Sequence, residues 1–141
     1  MTDPIRLLLA DDQQMVRAGF RLVLDAQPDM SVVGEANDGA EALQLVDELA
    51  PDVVLMDIRM PVLDGLGATE KIMTSHPEAK ILVLTTFDLD EYVHSALRAG
   101  ASGFMLKDAG PTELLAAIRA VRDGDSVVAP SATRRLIERF I

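Results

Sequence analysis

Three aspartates, a lysine and a pair of threonines stand where they could act on one substrate. Asp11 and Asp12 follow a short apolar run, Ile5 to Ala10, and Asp57 follows another, Val53 to Met56. Carboxylates that meet repel: two unit charges 4 Å apart cost roughly 4 kcal/mol at an effective dielectric near 20. Such a cluster needs a proton or a counter-cation. Oxygen-only ligands with open positions suit Mg2+, which keeps waters and shares itself with phosphate oxygens. Lys107 follows a third run, Phe104 to Leu106, and Thr85-Thr86 ends a fourth. An ammonium is a point charge for a phosphate oxygen, and a hydroxyl can donate to the same atom. Acid, acid, hydroxyl and ammonium together are the inventory for metal-assisted transfer of a phosphoryl group to a carboxylate.

Each residue alone has a plainer reading. Asp11 and Asp12 could cap a helix, Asp57 could open a turn, Thr85 could be a strand former and Lys107 a solvated charge. Convergence decides, and convergence depends on the elements that carry them. The apolar runs Ile5–Ala10, Ser31–Glu35, Val53–Met56, Ile81–Leu84 and Phe104–Leu106 show no in/out alternation. That pattern predicts strands buried on both faces, as in a parallel sheet. Between them apolar residues recur at helical spacing: Val16, Phe20, Val23 and Leu24; Leu43, Val46 and Ala50; Ala68 and Ile72; Val93, Ala96 and Leu97; Leu114, Ile118 and Val121. Gly39, Asp64-Gly65 and Pro111 punctuate the starts of three of these helices.

Five such βα units predict an α/β fold, a doubly wound five-stranded parallel sheet with helices on both faces. The common order for five strands is 2-1-3-4-5, and ligands then bind where the order reverses, at the carboxyl ends of strands 1 and 3. Asp11-Asp12 and Asp57 occupy those two ends.

A chain of 141 residues with 49% hydrophobic and 26% charged residues can build one proper core. Cysteine is absent, which excludes disulfides and thiolate metal sites and fits a reducing cytosol. The start, with Asp3 and Pro4, lacks the basic residues and long apolar stretch of a secretory signal, so the expected compartment is the cytoplasm. A formal net charge of -10 repels phosphate backbones and anionic lipids, so neither DNA nor membrane is expected as a direct partner.

With these residues in view, the chain resembles the bacterial response-regulator receiver family over residues 5–123. The resemblance runs through Asp11-Asp12, the stretch Asp57-Ile58-Arg59-Met60-Pro61-Val62-Leu63-Asp64-Gly65, Thr85 and Lys107. It implies a flavodoxin-like receiver fold with Asp57 as phosphoacceptor. Asp12 and Asp57 would bind Mg2+ directly, Asp11 largely through a metal-bound water, and the Arg59 carbonyl would complete the shell. Thr85 and Lys107 would grip the phosphoryl oxygens. Thr85 and Phe104 would form the switch, Phe104 turning inward as Thr85 moves toward the added charge. The resemblance also implies a sensor histidine kinase as donor and a homodimer on phosphorylation.

Many receivers carry Pro after the strand-5 lysine; Lys107-Asp108 stands here, so a cis bond is not expected. The stretch Gly100 to Asp108 is similar to the NarL/FixJ subgroup, in which a LuxR-type helix-turn-helix domain follows the receiver. Residues 1–123 are thus read as the receiver and 124–141 as a linker, Ser126 to Pro130, leading into a helix, Ala132 to Ile141. DNA would be met only through the domain beyond it.

Other readings fit less well. A haloacid-dehalogenase-type phosphatase would need an acid two residues after its nucleophile, where Arg59 stands. A flavin carrier would need a hydroxyl- and Gly-rich loop in place of Asp11-Asp12, and aromatic content is 4% with no Trp. His76 and His94 fall away from the strand ends and read as surface, and the seven methionines as packing. Arg59 and Phe87 flank the acidic site and would tune phosphoryl lifetime.

Overall fold

The computed structural model describes residues 3–86 and 90–128. Five strands and five helices alternate: β1 (Ile5–Ala10), α1 (Gln14–Asp25), β2 (Met30–Ala36), α2 (Gly39–Leu49), β3 (Val53–Met56), α3 (Gly65–Ser75), β4 (Ile81–Thr85), α4 (Asp90–Arg98), β5 (Gly103–Leu106) and α5 (Pro111–Arg122). A two-residue β6 (Val127–Val128) follows. All pairings are parallel and the order is β2-β1-β3-β4-β5-β6. The predicted order 2-1-3-4-5 holds, and β6 adds a short sixth strand within the stretch read as linker. Gly103 makes room for it, since a Cβ there would lie 2.6 Å from the Val127 carbonyl oxygen. The expected helix Ala132 to Ile141 lies outside the described residues, as does Phe87.

The missing alternation has its reason in two cores. Leu8, Val54, Met56, Ile81, Val83 and Phe104 face one side of the sheet, against Ala42, Val46, Ala68, Ile72, Val93 and Ala96 of α2, α3 and α4. Leu7, Leu9, Val53, Leu55, Leu82 and Met105 face the other, against Leu24 of α1 and Leu114, Ile118 and Val121 of α5. Successive strand residues point to opposite faces, so both kinds of position must be apolar. Each fully buried Leu or Ile contributes roughly 1.5–3 kcal/mol.

Local chemistry sets the helix starts. The Asp38 side chain accepts from the Glu41 N–H at 2.8 Å, and Asp64 accepts from the Gly67 N–H at 2.7 Å, capping α2 and α3. Pro111 opens α5, where a missing N–H costs nothing. α1 differs: its N-cap is Gln13, with no side-chain cap bond. Asp11 and Asp12 therefore do not cap α1, and their carboxylates are left for other work. One irregularity lies near the same end of the sheet. The β1–β2 register runs Leu7 with Val32 and then Leu8 with Gly34, so β2 carries an extra residue.

Candidate functional site

Main-chain hydrogen bonds carry the ladder one step past the strand ends and bring the chemical residues together. The Asp57 N–H donates to the Ala10 carbonyl at 2.9 Å, which puts Asp57 beside the end of β1. The Lys107 N–H donates to the Thr85 carbonyl at 2.8 Å, joining the ends of β4 and β5. Asp11, Asp12 and Asp57 each offer a carboxylate oxygen, and these oxygens lie within 4.8 Å of one another. The Lys107 ammonium sits 2.6 Å from Asp11 Oδ2 and 3.4 Å from Asp57 Oδ2. Asp57 is only 8% exposed, whereas Asp12 is exposed. Asp12, Ile58, Arg59 and Met60 line an open groove of about 520 Å3 beside the cluster.

Other contacts fix each acid. Asp11 Oδ1 accepts from the Gln13 N–H at 2.9 Å, so both oxygens of Asp11 are engaged. Asp57 Oδ1 accepts from the Ile58 N–H at 2.9 Å. Gly65, at the start of α3, donates its N–H to the Ile58 carbonyl at 2.8 Å, and no Cβ could fit there. Gly39 likewise donates to the Leu63 carbonyl at 2.9 Å, clipping the β3–α3 loop to α2.

Three carboxylates against one ammonium leave two negative charges uncompensated, the charge of one divalent cation. An ion bonded at Mg2+–oxygen distances spans at most about 4.2 Å between opposite ligands. The 4.8 Å spread therefore fits two direct ligands with a third reaching through water. Asp11, already committed to Lys107, suits the indirect place. The cluster can hold a hard divalent cation.

Burial pushes the Asp57 carboxyl up to about 6, with Lys107 opposing the rise and Asp11 adding to it. Folded Asp57 thus keeps a proton at pH values where the unfolded chain, near 3.8, has lost it. Stability contributed by this group is full below pH 3.8 and is lost as pH rises through about 6. Above that, the ionised carboxylate destabilises the cation-free fold by on the order of 3 kcal/mol. Asp57→Asn is therefore expected to be more stable than wild type by about 1–3 kcal/mol at pH 7 in EDTA, the gap closing toward pH 4. Urea unfolding of both proteins across pH 4–7 measures it; a gap that does not vary with pH refutes the assignment.

Thr85 is buried at the end of β4 and pairs with Leu106, next to Lys107. Phe104 pairs with Val83 and is fully buried in the core under α2, α3 and α4. The inward position expected only after phosphorylation is thus already occupied. A phenyl ring has no hydroxyl to keep in water, so nothing opposes its burial. The Lys107–Asp108 bond is trans, as are all peptide bonds among the described residues. His76 lies at the far end of α3, 2.5 Å from Asp47.

Sequence reading passed over Arg17 and Glu35. Arg17 is buried on the inward face of α1 and donates to the Asp11 carbonyl and to Glu35. A charge set among Val16 and Phe20, on the apolar side of a helix, was the available signal.

Residues 7–119 match the response regulator receiver domain. The chain belongs to the response-regulator receiver family. The receiver is 48% identical over 135 residues to the transcriptional regulatory protein YxjL of Bacillus subtilis, covering 96% of this chain and 62% of that protein. It is also 48% identical over 138 residues to the oxygen regulatory protein NreC of Staphylococcus aureus, covering 97% of this chain and 64% of that one. The chain thus spans less than two thirds of these relatives. A LuxR-family two-component response regulator from Aurantimonas superposes with a TM-score of 0.92 at 35% identity, covering 98% of this chain and 99% of that one. These likenesses make the chain a receiver of the NarL/LuxR group of two-component regulators. Among the described residues no helix is long and apolar enough to cross a membrane.

Proposed function

We propose that this receiver accepts a phosphoryl group on Asp57 from the phosphohistidine of a sensor histidine kinase, with Mg2+ in the acidic pocket. The observation that carries the reading is the meeting of Asp11, Asp12, Asp57 and Lys107 beside an open groove. An Asp57 oxygen forms the new P–O bond, the P–N bond of the donor breaks, and the released imidazole takes up a proton. When bound, Mg2+ neutralises charge shared by carboxylate and phosphoryl oxygens. Asp12 and Asp57 hold it directly, Asp11 through water, and the Arg59 carbonyl completes the shell. Lys107 and Thr85 hold the phosphoryl oxygens. Small donors such as acetyl phosphate serve as well, and water removes the group slowly. The domain phosphorylates itself and turns over no separate substrate. Arg59 and Phe87 set the lifetime of the phosphoryl group.

Phosphorylation adds roughly -0.5 to -1 charge where one carboxylate stood. Thr85 moves toward it, and because Phe104 is already inside, the change reaches α4 and β5 as a repacking of that ring. Two receivers then pair, and the exposed Met15 and Leu22 on α1 (88% and 78% accessible) support the α1/α5 face. In the intact regulator this places two helix-turn-helix domains, each beyond residue 141, on adjacent DNA half-sites. The site of action is the cytoplasm.

Intact-mass spectrometry after incubation with Mg2+ and acetyl phosphate tests the assignment. One added phosphoryl group is expected on wild type and none on Asp57→Asn. Addition that survives the substitution would overturn it. Sedimentation of the phosphorylated form tests pairing, and an unchanged mass counts against it.

A further inference from the structure

The buried Arg17 has an arrangement that the phosphorylation chemistry alone leaves unused. Only 7% of it is exposed, and a buried guanidinium is costly unless its donors are satisfied. Its Nε donates to Glu35 Oε1 at 3.0 Å, and one terminal nitrogen donates to the main-chain carbonyl of Asp11. Arg21 holds the other oxygen of Glu35 at 2.6 Å. No buried polar side-chain atom among the described residues lacks a partner.

The extra residue in β2 builds this contact. Val32 packs with the α1/α5 core, so strict alternation would turn Gly34 to that side and Glu35 to the α2 side. Beyond the irregularity Gly34 lies opposite Leu8 instead, and a Cβ on it would meet Leu49 of α2 at 2.8 Å. Glu35 consequently faces α1 and meets Arg17. Bulges next to functional sites re-aim side chains in this way.

The turn between β1 and α1 needs such a tie. Three carboxylates push it away from Asp57, and α1 supplies no side-chain cap. Lys107 holds the Asp11 carboxylate; Arg17 holds its carbonyl from the opposite side. Arg17, Asp11 and Asp57 line one small void of about 10 Å3. We propose that Arg17, anchored by Glu35, is the positioning residue of the acidic pocket, presenting Asp11 and Asp12 to Asp57 and to Mg2+. The proposal rests on the reading that this pocket takes Mg2+.

Amide chemical shifts followed during titration with Mg2+ alone test it and report folding in the same spectra. Arg17→Met and Arg17→Lys are both expected to weaken Mg2+ by about 10-fold or more, the size found for residues that orient metal ligands. Glu35→Gln should weaken it by a smaller factor. Arg119→Met, which breaks the distant pair with Asp29, should leave it unchanged. A guanidinium acting only as a nearby cation predicts the reverse, tighter Mg2+ in Arg17→Met and no change in Arg17→Lys. Unchanged or tighter binding in folded Arg17 variants overturns the proposal. Should Arg17→Met lose its dispersed spectrum, Arg17→Lys and Glu35→Gln decide. The acetyl phosphate reaction gives a second readout: half-saturating Mg2+ should rise by the same factor, while saturating Mg2+ restores the rate to within about 2-fold. A loss equal at every Mg2+ concentration counts against positioning. Wild type that fails to bind Mg2+ defeats the functional reading itself, and this inference with it.

Discussion

Lys107→Met should slow phosphorylation by acetyl phosphate by about 100-fold or more, the scale seen when one preorganised donor to a developing charge is removed. The ammonium is the counter-ion of the pocket, 2.6 Å from Asp11 and 3.4 Å from Asp57. Its side chain is only 13% exposed, so water screens these contacts weakly. Without it three carboxylates face one another with no cation among their described contacts. The same substitution should cost about 3 kcal/mol of stability at pH 7 in EDTA, as when one partner of a buried pair is removed. Lowering the pH should recover most of that, because protonating Asp57 relieves the repulsion. Adding Asp57→Asn to Lys107→Met should recover it at pH 7 as well. Initial rates by intact mass and urea unfolding at pH 7 and 4.5 supply the measurements. A rate within about 3-fold of wild type would remove Lys107 from the chemistry.

Gly65→Ala should cost about 3–5 kcal/mol and abolish the site along with the fold. A methyl group at this position would lie 1.8 Å from the Asp57 carbonyl oxygen and 2.7 Å from its carbonyl carbon. Both are main-chain atoms of the residue that accepts the phosphoryl group, so no rotamer change can relieve the clash. Either α3 backs away from the sheet or the end of β3 shifts, and each moves Asp57. Gly67, two residues on in the same helix, is the control. A Cβ there meets only Leu63 Cδ1 at 2.8 Å, the tip of a flexible side chain. Gly67→Ala should change stability by at most about 1 kcal/mol, since the helix gains from alanine what the Leu63 shift loses. Denaturant midpoints of the two variants compare the effects directly, and equal midpoints would show that the close approach to Asp57 carries no weight.

Much of this was legible in the residue order. Apolar runs without alternation announced strands covered on both faces, and β1 and β3 run over the expected residues. Asp64 and Pro111 marked helix starts because capping and a fixed φ act within one turn. The acids and Lys107 could be placed together because a doubly wound sheet has one switch point, and residues just past its strand ends must meet there. Boundaries were off by one residue at Met30, Ala36, Thr85 and Gly103, where pairing with a neighbouring strand extends the element.

What the residue order determined by itself, then, was the class of fold and the membership of the pocket, since periodicity, caps and strand ends are written in nearest neighbours. Tertiary structure alone decided the burial of Phe104, the pairing of Val127 and Val128 with β5, the 1.8 Å approach that demands glycine at position 65, and the tie from Arg17 to Asp11. Each of these depends on distances between segments far apart in the chain. The face that Glu35 takes hangs on one extra residue in β2, a register choice made only when the strands pair.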